Sequence, residues 1–336
     1  MGQHSGRSGT GVTPLTERLT AMARSRRPDD DVLVDYLRAY YEELPDFDID
    51  DRIDADLYAA AIRHWELGRH RSDDDIDVVV LSPDRDRDGW HSDRSVVLIV
   101  TTDAPFLVDT VRLVLEKHGV ATQLLVHPML HIRRDDAGHA VDIAGPGSDE
   151  PYGVEAWTQL EIDRLDADQA AALQADVRET VERTHRVVAD FAAMRDRLLE
   201  HADLDPLLGW LADRHFVFLG ASSFELDGDV LTRRSDGDLG MSVGNTIVDP
   251  AIDLDAPPVS VARSSHVSTV HRAGRLTAVT VRYEREGRRR FDRFVGLLSS
   301  TAYRHSTLTI PSVGDRARGV LGLARDGAET HTGRSM

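Results

Sequence analysis

The stretch Ser95–Gly119 restricts the fold more than any other part of the chain. Val96 to Thr101 (VVLIVT) is an unbroken apolar, β-branched run, the pattern of a buried strand. Thr102-Asp103-Ala104-Pro105 follows as a turn. Asp103 is placed to cap a helix, and Pro105 suits a first helical turn. From Phe106 to His118 the apolar residues Leu107, Val111, Val114 and Leu115 recur at helical spacing, and Gly119 is a stop signal. A buried strand tied by a short turn to an amphipathic helix points to a sheet with a helix packed on it.

The segments that follow extend the pattern. Val120 to Arg134 reads as one long strand with a bend at Pro128, Asp135–Gly138 as a turn, and His139 to Ile143 as a return strand. Ala156 to Asp163 is a further strand, with Trp157, Gln159 and Glu161 alternating against Thr158, Leu160 and Ile162. Asp166 then opens a long helix towards Glu200. Apart from the short return strand, the order strand, helix, strand, strand, helix is most of a βαββαβ unit, the ferredoxin-like arrangement with both helices on one face of an antiparallel sheet. Phe216–Gly220 (FVFLG) is a candidate for the fourth strand or for the start of the next domain.

The expected organisation is α+β, in five parts. Residues 1–30 read as a disordered tail. Residues 31–93 hold two helices (Asp31–Leu44 and Asp54–His70) and an acidic connector with a strand-like run at Asp77–Leu81 and an exposed turn at Pro83–Asp88. Residues 94–202 form the first ferredoxin-like domain. Residues 203–324 form a second α+β domain, with a hairpin about Asp227-Gly228, a loop over Ser235–Val259, strands at Val267–His271, Leu276–Tyr283 and Arg290–Ser299, and a last helix from Asp315 to Leu323. Residues 325–336 are a polar tail.

Composition excludes several kinds of chemistry. Cysteine is absent, so disulfides, thiolate catalysis and Cys-bound metals are ruled out, in keeping with a cytoplasmic protein. The formal charge of −18 repels nucleic acid and anionic membrane surfaces, and the one basic run, Arg288-Arg289-Arg290, has acidic neighbours. No apolar run approaches the ~20 residues of a membrane span. Lys117 is the only lysine, which excludes mechanisms needing two. Neither a GxGxxG turn nor a GxxxxGK[ST] loop occurs, and there is no HExxH or GxSxG motif. His127 and His131 lie four apart in a strand, ~13 Å along one face, too far for shared metal ligation without a bend. No catalytic or metal residue is assigned. The effector-binding or interface candidates are Asp103, Ala104, Pro105 and Phe106, where backbone N–H groups at a helix start can meet a carboxylate.

Six segments in order then resemble one family. They are Leu57–Ala61 with His64-Trp65; VVLIVTTDAPFLVDTVRLVLEKHG (Val96–Gly119); Leu125–Leu130 with Arg133-Arg134-Asp135; Leu207–Leu211 with Phe216–Gly220; Ser268–Arg272; and FVGLLSSTAYRHSTLTIP (Phe294–Pro311). Together they are similar to the N-terminal ACT-like region of the large bacterial NAD-specific glutamate dehydrogenases. The resemblance implies ferredoxin-like ACT modules, which often sense amino acids. It also implies a catalytic domain with its NAD site downstream, a tail at 325–336 that is cut short, and no cofactor in this chain. The implied partners are the downstream domains, other subunits of a homo-oligomer, and a small amino-acid effector. Ligand-binding ACT domains carry Asp-x-Pro-Gly after the first strand. Here Phe106 stands in place of the glycine, which favours packing between modules or subunits over ligand binding. A free-standing amino-acid sensor and an unrelated hydrolase using a His/Asp/Ser cluster are the alternatives.

Overall fold

The computed structural model describes residues 14–42, 44, 52–72, 74–144, 152–244, 251–315, 317 and 318. It divides into two compact units, residues 1–181 and 182–336, the division falling inside one long helix.

The first unit starts with three helices: α1 (Leu15–Arg26), α2 (Asp31–Tyr40) and α3 (Asp54–Gly68). α2 is capped by Asp30, whose side chain accepts from the Leu33 N–H at 3.1 Å. The sheet strands are β1 (Asp77–Leu81), β2 (Ser95–Thr102), β3 (Thr122–Val126), β4 (Met129–Arg134), β5 (Ala140–Ala144) and β6 (Gly153–Ile162). A single turn of helix, α4 (Arg85–Asp88), separates β1 from β2, and α5 (Leu107–Lys117) separates β2 from β3. The helix α6 (Ala167–Leu199) follows β6. Its start is a reciprocal box in which Asp166 accepts from the Gln169 N–H at 2.8 Å and Gln169 accepts from the Asp166 N–H at 3.0 Å.

All pairings are antiparallel, in the order β1-β2-β6-β4-β5, with β3 also on β6. Both faces are covered, which is why β2 reads as a continuous apolar run. Val97 and Ile99 lie in one cluster with Leu107, Val111 and Leu115 of α5 and Leu173, Val177 and Val181 of α6. Val100 and Trp157 lie in another with Leu19, Leu33, Leu37, Leu57 and Ala61 of α1–α3. Val96 and Leu98 meet Ala60 and Trp90. Each such buried aliphatic side chain contributes ~1.5–3 kcal/mol relative to exposure.

Several expectations need correction. Residues 15–26 are not a disordered tail. Leu15, Leu19 and Ala23 recur at four-residue spacing and are buried. The helical segment and the connector are not a separate domain, because α1–α3 close one face of the sheet and β1 is its edge. The turn at 83–88 contains α4, capped by Asp84. The long strand 120–134 is two strands, interrupted at His127-Pro128, both laid along β6; Pro128 has no N–H for a ladder. FVFLG does not complete the first sheet. The edge beside β2, where a strand after α6 was expected, is occupied by β1.

The second unit holds α7 (Pro206–Trp210) and strands β7 (Phe216–Asp227), β8 (Val230–Gly240), β9 (Val259–Val267), β10 (Arg275–Arg285) and β11 (Arg288–Leu298). They form one antiparallel sheet, β8-β7-β11-β10-β9, with no α-helix between consecutive strands among the described residues. This unit therefore does not follow the βαββαβ pattern. Phe218, Val281 and Phe294 pack with Met194, Leu198, Leu207 and Leu208. Leu219, Leu276, Val295 and Leu297 pack with Val187 and Val270. The strand expected at 267–271 is instead β9 at 259–267, and the loop expected from 235 is β8 as far as Gly240. The expected last helix lies mostly outside the described residues, as do residues 325–336.

Candidate functional site

The four candidates Asp103, Ala104, Pro105 and Phe106 form one contiguous turn between β2 and α5. Asp103 and Pro105 are exposed, Ala104 is buried, and Phe106 is half-buried. The Asp103 N–H donates to the Val154 carbonyl at 3.2 Å, tying the turn to β6. Asp103 does not cap α5. The cap position is Phe106, with no side-chain cap bond, and its carbonyl accepts from the Thr110 N–H at 2.9 Å. Phe106 has φ 70°, in the left-handed region that glycine enters freely and other residues enter at a cost of ~1–2 kcal/mol. The turn thus keeps the backbone conformation of a glycine while carrying a benzyl group at that point.

A second feature is a buried polar face on β6 under α2 and α3. Glu155, Gln159 and Glu161 share with the fully buried Trp157 the side facing those helices. Arg134 grips Glu155 through Nε (2.7 Å) and Nη2 (2.9 Å), Arg71 adds a contact at 3.3 Å, and the Trp157 indole donates at 3.1 Å. Arg52 donates to both oxygens of Glu161, at 2.5 and 2.6 Å. The Arg134 grip is bidentate, while Arg52 reaches both Glu161 oxygens through Nη1 alone; each pair neutralises a buried carboxylate, as burial requires.

Between the two pairs, Tyr40 Oη lies 2.8 Å from His64 Nδ1 and 2.9 Å from the Gln159 side-chain oxygen, and His64 Nε2 lies 3.1 Å from the Ile99 carbonyl. Burial pushes the His64 pKa down to about 3, so the ring is neutral. Its Nε2–H must serve Ile99, which leaves Nδ1 as acceptor for the Tyr40 hydroxyl. One hydroxyl proton cannot also reach Gln159. The carboxamide therefore presents its NH₂ to Tyr40, the two ends of an amide being alike in shape. That orientation also gives a partner to the Gln159 nitrogen, which is buried without one otherwise. Burial holds Tyr36 and Tyr40 well above the usual phenol range. The face is a fixed structural network, and neither His64 nor these two tyrosines exchanges protons near neutral pH. The sequence signal was present in the alternation of β6, but its meaning needs α2 and α3 overhead.

The His/Asp/Ser cluster imagined for a hydrolase has a counterpart in the second unit. Asp292 accepts from the Ser223 hydroxyl at 2.5 Å and pairs with His201 Nε2 at 3.0 Å. The order is wrong for a nucleophile, because the carboxylate stands between serine and histidine and, among the described residues, no imidazole reaches the hydroxyl. Among the described residues no group of three or more His, Asp or Glu is arranged to hold a metal ion. His127 Nδ1 instead lies 2.7 Å from the Thr158 hydroxyl. Dinucleotides are held by glycine-rich turns between parallel strands and helices. Here the strand-to-helix turns of the first unit, 102–106 and 163–166, contain no glycine and both sheets are antiparallel, so the described residues do not fit NAD. No helix among them is long and apolar enough to cross a membrane.

Comparison with known proteins places this architecture. Residues 36–177 match the family model described as glutamate dehydrogenase, ACT1 domain. The chain is 25% identical over 344 residues to an NAD-specific glutamate dehydrogenase of Halomonas elongata, covering 90% of this chain and 21% of that protein. It is 29% identical over 318 residues to the enzyme of that name from Pseudomonas aeruginosa, covering 84% and 20%. For the Mycobacterium tuberculosis enzyme the identity is 26% over 293 residues, covering 81% and 18%. The chain thus spans about a fifth of the length of the relatives it matches. The matched segment begins in α2 and ends in α6, so it takes in the whole first sheet, and together with the relatives it supports an N-terminal region of the NAD-specific glutamate dehydrogenase family.

Proposed function

We propose that this chain is a regulatory and subunit-packing segment of an NAD-dependent glutamate dehydrogenase and performs no catalysis itself. The full-length enzyme would convert L-glutamate to 2-oxoglutarate and ammonia in the cytoplasm, with NAD bound downstream. The partners of the segment are the downstream domains and other subunits of a homo-oligomer. Residues 95–199 are read as a ferredoxin-like ACT module in which β1 stands in for the last strand.

The observation that carries the packing role is Phe106. A side chain at φ 70° occupies the place where a glycine would let an amino acid approach bare backbone. The buried carboxylates on β6 support a non-catalytic reading, since Glu155 and Glu161 are both held by arginines. The purified chain is expected to give a cooperative thermal melt and no glutamate-dependent NADH formation. Measurable turnover by the pure chain would end this reading. Calorimetry against the twenty amino acids separates packing from sensing: a flat response fits packing, while saturable heat lost in a variant of the 103–106 turn supports the sensor.

A further inference from the structure

In the second unit the sheet outruns its covering helix. α6 ends at Leu199, while β10 continues to Arg285 and β11 starts at Arg288. Under the helix this face is apolar, with Val281 and Phe294 against Met194 and Leu198. Beyond it the same face turns polar. The ladder sets Asp292 opposite Ser223 and Val281, and Arg290 opposite Glu225 and Tyr283. A pocket of about 260 Å³ opens there. Its walls include Arg197, Arg234, Arg285 and Arg290, in a chain of net charge −18.

The four guanidiniums are not equivalent. Arg234 pairs with Asp236 at 2.8 Å, and Arg290 pairs with Glu225 at 3.2 Å. Arg197, from α6, spends its Nη1 on the Gly237 carbonyl (2.5 Å) and the Ser223 hydroxyl (3.4 Å); it forms no direct ion pair with a described residue, although its charge helps to hold the nearby Asp292 and Asp236 carboxyls down. Arg285, from β10, forms no ion pair with any described residue. The floor is fixed. Asp292 is held by His201 and Ser223, and the His201 ring packs on Tyr283 at 4.5 Å between centroids. Burial, then the Asp292 charge, pushes the Tyr283 phenol up to about 12, so it remains a neutral wall. Two cationic forks in no direct ion pair with a described carboxylate, on different elements and lining one small cavity, match a ligand with two planar anionic ends.

We propose that this pocket binds a small dicarboxylate, one carboxylate at Arg197 and the other at Arg285. The site lies outside residues 36–177 and involves no residue of the 103–106 turn, so it stands or falls independently of the proposed function.

Calorimetric titration of the 336-residue chain with glutarate tests it, with acetate and inorganic phosphate run in parallel. Glutarate should saturate one site. Arg285→Ala should weaken it by about tenfold or more, the usual loss for a charge-assisted pair. The Arg285 side chain is exposed and carries no hydrogen bond or ion pair to a described residue, so this variant should melt like the parent. Arg285→Lys should retain part of the affinity, keeping the charge but losing the fork. Acetate should bind at least about tenfold more weakly than glutarate, lacking the second end. No heat with glutarate, undiminished binding by Arg285→Ala, or phosphate as tight as glutarate would each overturn the proposal.

Discussion

At the scale of single residues, Phe106 and His64 make opposite kinds of statement. Phe106 was singled out by its place in the sequence, where a glycine stands in related turns, but its backbone angle was not legible because no local pattern announces a left-handed phenylalanine. The angle predicts how substitutions behave. Phe106→Val puts a β-branched side chain at φ 70° and should lower unfolding free energy by about 1–2 kcal/mol. Phe106→Gly relieves the backbone and should stay within about 1 kcal/mol of the parent, its gain offset by lost ring packing. Urea titration of the three proteins checks the order. His64 was visible only as one of fifteen histidines, on a helix face assigned to the core. Its folded pKa of about 3 lies below the unfolded 6.5, so between these values the unfolded chain binds the extra proton. The stability due to neutral His64 is thus complete above 6.5 and falls by about 1.4 kcal/mol for each unit of pH below it. Denaturation measured from pH 7 to 5 should show that slope, and His64→Gln should flatten it in this window, where ordinary carboxylates still hold their charge.

At the scale of elements, strongly periodic segments were readable and weakly patterned ones were not. β2, α5 and α6 carry long apolar runs or stripes and stand where they were expected. α1 escaped because Leu15, Leu19 and Ala23 are diluted by arginines and threonines, and β9 escaped because most of that edge strand is not buried. The order β2, α5, β3, β6, α6 was legible, but the strand that completes it was sought after α6, where connectivity places it in the usual pattern. Packing between elements also reverses a propensity rule. Gly68 ends α3, and a Cβ there would come within 2.5 Å of the Trp157 ring, which is fully buried. Alanine for glycine within a helix ordinarily gains up to ~1 kcal/mol. Gly68→Ala should instead cost about 1–3 kcal/mol, because Trp157 has no free space to enter. A lower Tm with an unchanged far-ultraviolet spectrum is the expected result, and a raised Tm would refute the close approach.

At the scale of the whole molecule, the boundary read at residue 94 separates pieces that belong together. A chain limited to residues 94–202 loses β1 and all three helices over Val96, Leu98, Val100 and Trp157. It should show no cooperative melt and should bind a hydrophobic dye, whereas the 336-residue chain should melt cooperatively and leave the dye unbound. The sequence could not reveal this dependence, since an amphipathic helix shows that it has a partner face but not which face that is. The place of β1 has a consequence for how the protein is made. In the familiar order, the edge beside the first strand of the module waits for the last strand to leave the ribosome. Here β1 and β2 are separated by a short connection and emerge together. That border can be sealed while α5, β6 and α6 are still being translated, so the most apolar strand of the sheet is shielded on one side from neighbouring nascent chains before its other partner exists.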